Sequence, residues 1–317
     1  MKTLFFNIKE LVQIRDSSVR RISGIAMKEL PSIKNAFLRI NNEIIEDFGA
    51  MSELTDFNAD QVIDARGQTI LPAWCDSHTH IVFSGHREGE FVDRINGLSY
   101  EEIASRGGGI LNSAKKLQDS SEQELFEQSS QRLEEIMKMG TGAVEIKSGY
   151  GLTPESEVKI LQVIKTLAKS YPLTIKATFL GAHAFPAVFN DQKDAYVKLI
   201  CEKMIPEVSE KNLAEFIDVF CETGYFSVKQ TEKILETGSA FGLKPKIHVN
   251  QFNSIGGVQA GIKYKALSVD HLEVMTQEDI NSLKNTEVMP VALPSCSYFL
   301  SIPYTPARKM IDEGLGI

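Results

Sequence analysis

The 317-residue sequence has few of the features that mark membrane, secreted or nucleic-acid-binding proteins. No apolar run approaches the roughly 20 residues that a membrane-spanning helix needs. Lys9 and Glu10 interrupt the apolar stretch near the N terminus before it reaches the length of a signal-peptide core. The net charge of −8 also lacks the basic excess that nucleic acids attract. We therefore expect a cytoplasmic protein with no nucleic-acid or membrane partner.

Cysteine is scarce, and its spacing gives no CxxC pair. The four cysteines lie far apart in apolar or strand-like contexts, at Cys75, Cys201, Cys221 and Cys296. This pattern predicts reduced core thiols, as in proteins of a reducing compartment.

The predicted secondary structure differs between two parts of the chain. Residues 1–66 read as all-β, with apolar runs at 36–40 and 43–48 joined through Asn41 and Asn42, which tolerate turns. From residue 67 onward strand-like and helix-like segments alternate. We therefore predict a small β portion at 1–66 and a larger domain at 67–317.

The alternation in the larger domain predicts a parallel sheet covered by helices. Helix starts are marked by capping-box or proline signals at Ser99, Ser121, Thr153 and Ser227. The predicted strands are 70–77, 143–147, 174–180, 216–221, 245–249, 267–270 and 288–293.

Four of the six histidines lie at equivalent ends of the predicted strands. His78 and His80 are two apart in DSHTH (76–80), so a strand would direct both imidazoles to one face. His248 and His271 end two later strands, and each alone reads equally well as a buried structural histidine. Their recurrence favours a metal site with three protein ligands and an open position for water. Such a metal lowers the pKa of a bound water and polarises a carbonyl.

Two architectures compete for this pattern: an open doubly wound sheet and a closed (β/α)₈ barrel. Ligands from strands one, three, five and six must meet at one point, and a barrel gathers its strand ends around one mouth. We therefore predict the barrel. Only seven strands are predicted before Ile317, so we expect strand eight to be missing or incomplete.

Longer motifs connect the sequence with a known family. The segment LPAWCDSHTH at 71–80 resembles the amidohydrolase superfamily, with Ala73 where glycine is usual. The match narrows to the imidazolonepropionases of histidine degradation through SGHREGEF (84–91), RGGGI (106–110), VEIKSGYGL (144–152), FLGAHA (179–184) and DVFCE (218–222).

This resemblance implies an α/β fold: a TIM-like (β/α)₈ barrel of the metal-dependent hydrolase type with a small N-terminal β-sandwich portion. It implies hydrolysis of 4-imidazolone-5-propanoate to N-formimidoyl-L-glutamate, one zinc or iron ion per subunit, and a homodimer. The implied metal ligands are His78, His80 and His248. The implied substrate-binding residues are Arg87, Tyr150, His183 and Gln251. His183 and Gln251 are also expected to be catalytic, and Gln251 stands where the family places an active-site acid or amide. The family's fourth ligand, an aspartate on strand eight, is expected to be absent.

Residue chemistry supports several of these roles, and structural alternatives stand beside them. Arg87 offers a two-pronged carboxylate clamp, or is a surface arginine. Tyr150 bonds a substrate oxygen or packs on the barrel rim. His183 orients or polarises the ring carbonyl, or is structural. His271 lies near the attacking water as a proton shuttle or hydrogen-bond partner. Lys147 is expected to neutralise a buried acid such as Glu145.

Two rival functions remain at this point. One is another cyclic amidohydrolase or aminohydrolase of the same superfamily. The other is an inactive fragment that retains a ligand pocket.

Overall fold

A computed structural model of the chain describes residues 1–98, 102–103, 106 and 108–317. The predicted helix start at Ser99 and part of the glycine-rich motif at 106–110 lie outside these residues. The chain divides into two compact units, Met1–Ala73 and Trp74–Ile317. Within the described residues, no helix is both long and apolar enough to cross a bilayer.

The first unit is a five-stranded sheet. Its strands are β1 (Lys2–Val12), β2 (Ser32–Asn41), β3 (Ile44–Ala50), β4 (Gln61–Asp64) and β5 (Thr69–Ile70), with short 3-10 turns at Gly24–Lys28 and Met51–Glu53. The order is β3-β2-β1-β4, and β5 also pairs with β1. The predicted β2–β3 hairpin is confirmed, and Asn42 adopts a left-handed φ of 55° in its turn.

The apolar run predicted as one strand at 70–77 is two strands. Ile70 pairs with Leu11 of β1, inside the first unit. Pro72 then interrupts the run, because proline has no N–H to donate to a ladder. The next strand, Trp74–Thr79, extends two residues beyond the predicted end and carries His78 within it. The two compact units consequently divide after Ala73, whereas the sequence predicted a boundary after residue 66.

The second unit is built on a curled parallel sheet. Its strands are β6 (Trp74–Thr79), β7 (Thr141–Lys147), β8 (Thr174–Ala182), β9 (Phe216–Cys221), β10 (Lys244–Pro245), β11 (Ile247–Val249), β12 (Ser268–His271) and β13 (Met289–Ala292). Seven run in the order β13-β12-β11-β9-β8-β7-β6, and the two-residue β10 pairs with β9. In the described part of the chain, β6 and β13 are the edges of this half-barrel, as the seven predicted strands implied.

Helices follow most of these strands. They are α1 (Glu88–Ile95), α2 (Ile110–Asp119), α3 (Glu122–Lys138), α4 (Pro154–Ser170), α5 (Lys193–Leu199), α6 (Ile205–Glu210), α7 (Val228–Ala240), α8 (Gly257–Lys263), α9 (Gln277–Leu283), α10 (Pro294–Leu300) and α11 (Ala307–Asp312). A 3-10 turn spans Ala187–Phe189, and a π-helical turn spans Ile200–Met204 between α5 and α6. The predicted caps at Ser121, Thr153 and Ser227 are confirmed, each accepting a backbone N–H of the first turn.

The main core lies between the curled sheet and its helices. At Gly238, on α7, a Cβ atom would lie 2.5 Å from Cδ1 of Ile217 on β9. Glycine therefore allows α7 to approach the sheet more closely than alanine would. Gly89, on α1, instead has open space where a Cβ would stand.

These two glycines should respond oppositely to the same substitution. Gly238→Ala should lower the free energy of unfolding by about 1–3 kcal/mol, because the added methyl overpacks a dense core. Gly89→Ala should leave it unchanged or raise it by up to about 1 kcal/mol, through helix propensity. Chemical denaturation of both variants measures the contrast. Equal effects would contradict the close packing of α7 on β9.

Candidate metal centre

Three histidines meet at the carboxyl ends of the strands. His78 lies in β6, His80 directly follows that strand, and His248 lies in β11. One side-chain nitrogen from each lies within 4.8 Å of the other two. Within the described residues, these three form a group of possible metal ligands, in agreement with the ligand set that the family resemblance implied.

One buried nitrogen of each of these three rings has no protein partner. Nε2 of His78, Nε2 of His248 and Nδ1 of His80 are shielded from solvent, and each lacks a hydrogen bond. Burial lowers the pKa of each imidazole well below its usual value, and Lys147 and the neighbouring histidines add to the effect. The rings are therefore neutral at pH 7, which is the form that binds a metal. A bound ion would satisfy nitrogens that are otherwise costly to bury.

Two carboxylates orient these rings from behind. Oδ2 of Asp270 lies 2.6 Å from Nδ1 of His78, and Oδ1 of Asp218 lies 3.0 Å from Nδ1 of His248. A carboxylate oxygen accepts hydrogen bonds, so Nδ1 of each ring must carry the hydrogen at these contacts. Nε2 of each neutral ring therefore keeps its lone pair. Such carboxylate–histidine pairs fix the tautomer and orientation of metal ligands.

A buried charge cluster supports the carboxylates. It consists of Glu145, Lys147, Asp218, Lys246 and Asp270, all nearly or fully buried. Nζ of Lys147 donates to Glu145 at 2.6 Å and to Asp218 at 2.8 Å, and lies 3.5 Å from Asp270. Lys246 donates to Glu145 and lies 3.9 Å from Asp270. Two cations against three carboxylates leave one negative charge, which favours a cation at the adjacent histidines. The predicted pairing of Lys147 with Glu145 is confirmed.

The predicted substrate residues line the cavity beside the histidines. The cavity has a volume of about 840 Å³. Its walls include Arg87, Tyr150, His183, Gln251 and His271, together with His78, His80 and His248. The structure thus brings together all eight residues that the sequence singled out, while their individual roles remain predictions.

His183 is set up as a hydrogen-bond acceptor. Its ring stacks on His80 with centroids 5.0 Å apart, and its Nδ1–H donates to the carbonyl of Gly149 at 3.1 Å. Burial lowers its pKa to about 4, despite the opposing effect of the Gly149 bond. At neutral pH its Nε2 therefore carries a lone pair. This geometry suits Nε2 of His183 to accept a hydrogen bond from an N–H group of a ligand ring, and does not suit it to polarise a carbonyl.

His271 has the opposite electrostatic setting. Burial alone would lower its pKa, but hydrogen bonds with Cys296 and Glu273 outweigh burial and raise the pKa to about 9. Its ring centroid lies 5.4 Å from that of His78 and 5.2 Å from that of His248.

Arg87 and Gln251 each make a long polar contact with a neighbouring side chain. Nη1 of Arg87 lies 3.8 Å from Glu90, and about a third of the Arg87 side chain is exposed. Glu90 is in turn held by the N–H of Gly109 and the amide of Asn112, both at 3.0 Å. Nε2 of Gln251 lies 3.7 Å from Sγ of Cys296. The Arg87 side chain is partly exposed, whereas Gln251 is buried in the cavity wall.

The cysteine prediction is wrong in part. All four are free, but only Cys201 and Cys221 are buried. Cys75 is exposed because it lies on the edge strand β6, and the half-buried Cys296 lines the cavity. Burial raises the pKa of the Cys221 thiol to about 11, in keeping with a packed core thiol.

The sequence analysis assigned no role to Asp218 or Lys246. A signal for them exists. Charged residues occur inside strands whose neighbouring residues are apolar, and a buried charge needs a partner. Which partner each would find could not be read from the sequence.

Solved structures identify the type of fold, whereas no known family model matches the chain. Guanine deaminase from C. acetobutylicum aligns with a TM-score of 0.63 at 15% identity, covering 99% of this chain and 72% of that one. A triazine hydrolase variant gives 0.69 at 14% identity, covering 98% and 69%. 5-Methylcytosine deaminase from Klebsiella pneumoniae gives 0.68 at 11% identity, covering 98% and 72%. The fold is that of the amidohydrolases.

Sequence relatives narrow this class to one family. Imidazolonepropionase from Flavobacterium johnsoniae is 65% identical over 315 residues, which are 99% of this chain and 77% of that protein. The Christiangramia forsetii imidazolonepropionase is 62% identical with the same coverage. That of Geobacillus thermodenitrificans is 40% identical, over 100% of this chain and 76% of that protein. The chain belongs to the imidazolonepropionase family, as its motifs predicted.

Removing the central cation should test the buried charge cluster. Lys147→Met should lower the free energy of unfolding by about 3–5 kcal/mol, because it leaves buried carboxylates unpaired. Lys176→Met is the matched control, since the Lys176–Glu215 pair is about half exposed and should contribute little. Urea denaturation measures both variants. A Lys147→Met protein as stable as the control would contradict the cluster's role.

Proposed function

We propose that this protein hydrolyses the cyclic amide bond of 4-imidazolone-5-propanoate to give N-formimidoyl-L-glutamate, a step of L-histidine degradation. Membership of the imidazolonepropionase family supports the assignment. The observation that carries it is the meeting of three neutral histidines, each with one buried nitrogen that makes no hydrogen bond, with an arginine and a tyrosine in one cavity.

His78, His80 and His248 would hold one zinc or iron ion per subunit, since imidazole donors suit both metals. When bound there, such an ion lowers the pKa of a water and polarises the ring carbonyl. Asp218 and Asp270 keep the proton of each partner histidine on Nδ1, so that Nε2 of His78 and His248 stays available.

Three side chains would hold the substrate. Arg87 clamps the propionate, because its planar guanidinium matches a carboxylate in two places. The hydroxyl of Tyr150 bonds a substrate oxygen. Nε2 of His183 accepts an N–H of the ring and thereby turns the scissile amide towards the three histidines.

Two further groups would assist the chemistry. His271 lies against the rings of His78 and His248, and we assign it the transfer of a proton as the ring C–N bond breaks. Gln251 lies on the cavity wall three residues after His248 and supplies an amide for the substrate.

The reaction itself separates this proposal from deamination, which is named for two proteins of similar fold. Incubation with 4-imidazolone-5-propanoate should produce N-formimidoyl-L-glutamate without release of ammonia. Mass spectrometry of the product and an ammonia assay measure both outcomes. Ammonia released in step with substrate loss would favour an aminohydrolase instead.

Metal binding should depend on the histidine pair of β6. The double variant His78→Ala, His80→Ala should lose most bound metal and activity together, because it removes two of three ligands. His86→Ala is the matched control, since His86 is exposed. Metal content per chain is measured by plasma mass spectrometry. Full occupancy in the double variant would overturn the ligand assignment.

Arg87→Lys should lower kcat/KM, with a loss of transition-state stabilisation of roughly 2–4 kcal/mol, because lysine lacks the two-pronged geometry. A substrate analogue without the carboxylate should be nearly indifferent to the change. Arg308→Lys, at an exposed pair with Asp312, controls for the substitution itself. Steady-state kinetics with both substrates decide the matter, and equal losses for the two would argue against a carboxylate clamp.

A further inference from the structure

The segment that carries Tyr150 into the cavity has an unusual backbone. Residues 148–152, called here the Tyr150 loop, connect β7 to α4. Gly149 has φ of +104° and Leu152 has φ of +58°, both in the left-handed region. A loop of this shape turns successive N–H groups towards one side, where they need an acceptor.

That acceptor is Glu157, in the first turns of α4. Its side chain is completely buried. Oε2 accepts the N–H of Gly149 at 2.9 Å, and Oε1 accepts those of Gly151 and Leu152, each at 2.8 Å. Three backbone donors of the Tyr150 loop therefore converge on a single carboxylate.

The same loop fixes His183. The carbonyl of Gly149 accepts the Nδ1–H of His183 at 3.1 Å. A Cβ atom at residue 149 would lie 2.9 Å from that Nδ1 and 2.9 Å from the carbonyl oxygen of Leu180, so the loop packs against the His183 side chain and β8 as closely as glycine allows. The tautomer of His183, and hence the lone pair on its Nε2, depends on where the loop holds this carbonyl.

A second anchor holds the end of the loop without contacting its N–H groups. The buried hydroxyl of Tyr196 lies 2.9 Å from the carbonyl of Gly181 and 3.3 Å from that of Leu152. Other contacts also hold the loop: Nε2 of Gln118 donates to the carbonyl of Gly151 at 2.8 Å, and the N–H of Ser148 donates to the carbonyl of Thr178 at 2.9 Å. The loop therefore stays attached to its surroundings when Glu157 is altered.

We propose that Glu157 is a positioning residue, whose carboxylate holds the Tyr150 loop so that Tyr150 and His183 contact the substrate ring together. The inference rests on the proposed function, in which these two side chains bind the substrate. Glu157 acts from behind the loop through backbone N–H groups, and a carboxylate suits the task because both of its oxygens accept.

Glu157→Gln tests this role with little change in volume. Glutamine offers one acceptor oxygen and one NH₂ group, so at least one loop N–H would face another donor. With metal content unchanged, KM should rise and kcat/KM should fall about 10- to 100-fold, the scale of a small displacement at a reacting site. Glu155→Gln, on the same turn but exposed, should behave as the native protein. Loss of folded protein alone would lower the apparent kcat and leave KM unchanged.

A second variant and a second measurement keep the inference testable. Glu157→Asp retains two acceptor oxygens on a shorter stem and should recover part of the lost kcat/KM. Hydrogen exchange at the amides of Gly149, Gly151 and Leu152 should be faster in Glu157→Gln, with exchange in β7 and β8 unchanged. Native exchange rates at these three amides, or native KM and kcat, would overturn the inference. If the native protein does not open the ring, the proposed function fails, and the exchange rates still decide whether Glu157 holds the loop.

Discussion

The interaction on which the rest of the site depends is the ion pairing of Lys147 with carboxylates inside the half-barrel. Its ammonium lies within 3.5 Å of oxygens from Glu145, Asp218 and Asp270. Two of these carboxylates then orient His78 and His248. A buried charge is tolerated only when it is paired, so the cluster forms as a unit or not at all. The orientation of the ligating nitrogens therefore follows from the folding of the sheet interior.

The parallel sheet brings these groups together through its register. His248 on β11 pairs with Asp270 on β12 and with Phe220 on β9, which places Asp218 one inward-facing position lower. Asp270 consequently lies level with His248, and Asp218 lies one layer deeper in the sheet interior. Glu157 plays a comparable role beside the sheet: its buried carboxylate holds the Tyr150 loop, whereas Asp218 and Asp270 hold imidazole rings. In both places a buried carboxylate orients a group to which we assign a functional role.

Much of this could be predicted from local patterns. Strand-ending histidines, capping signals at Ser121 and Thr153, and strand-helix alternation each depend on residues close in sequence. The pairing of His78 with Asp270 spans 192 positions and depends on a register that no local pattern specifies. The division of the run at 70–77 was missed because apolar composition does not tell which sheet a strand joins. The same limit applies to Cys75, whose exposure follows from its place on an edge strand.

The central claim is that three oriented imidazoles form the metal site. X-ray absorption spectroscopy of the metal-loaded protein measures the donor atoms directly. The account predicts three imidazole nitrogens at about 2.0–2.1 Å if the ion is zinc, the usual distance for histidine ligands. A first shell containing sulfur, from Cys75 or Cys296 on the cavity wall, or fewer than three imidazoles, would contradict it.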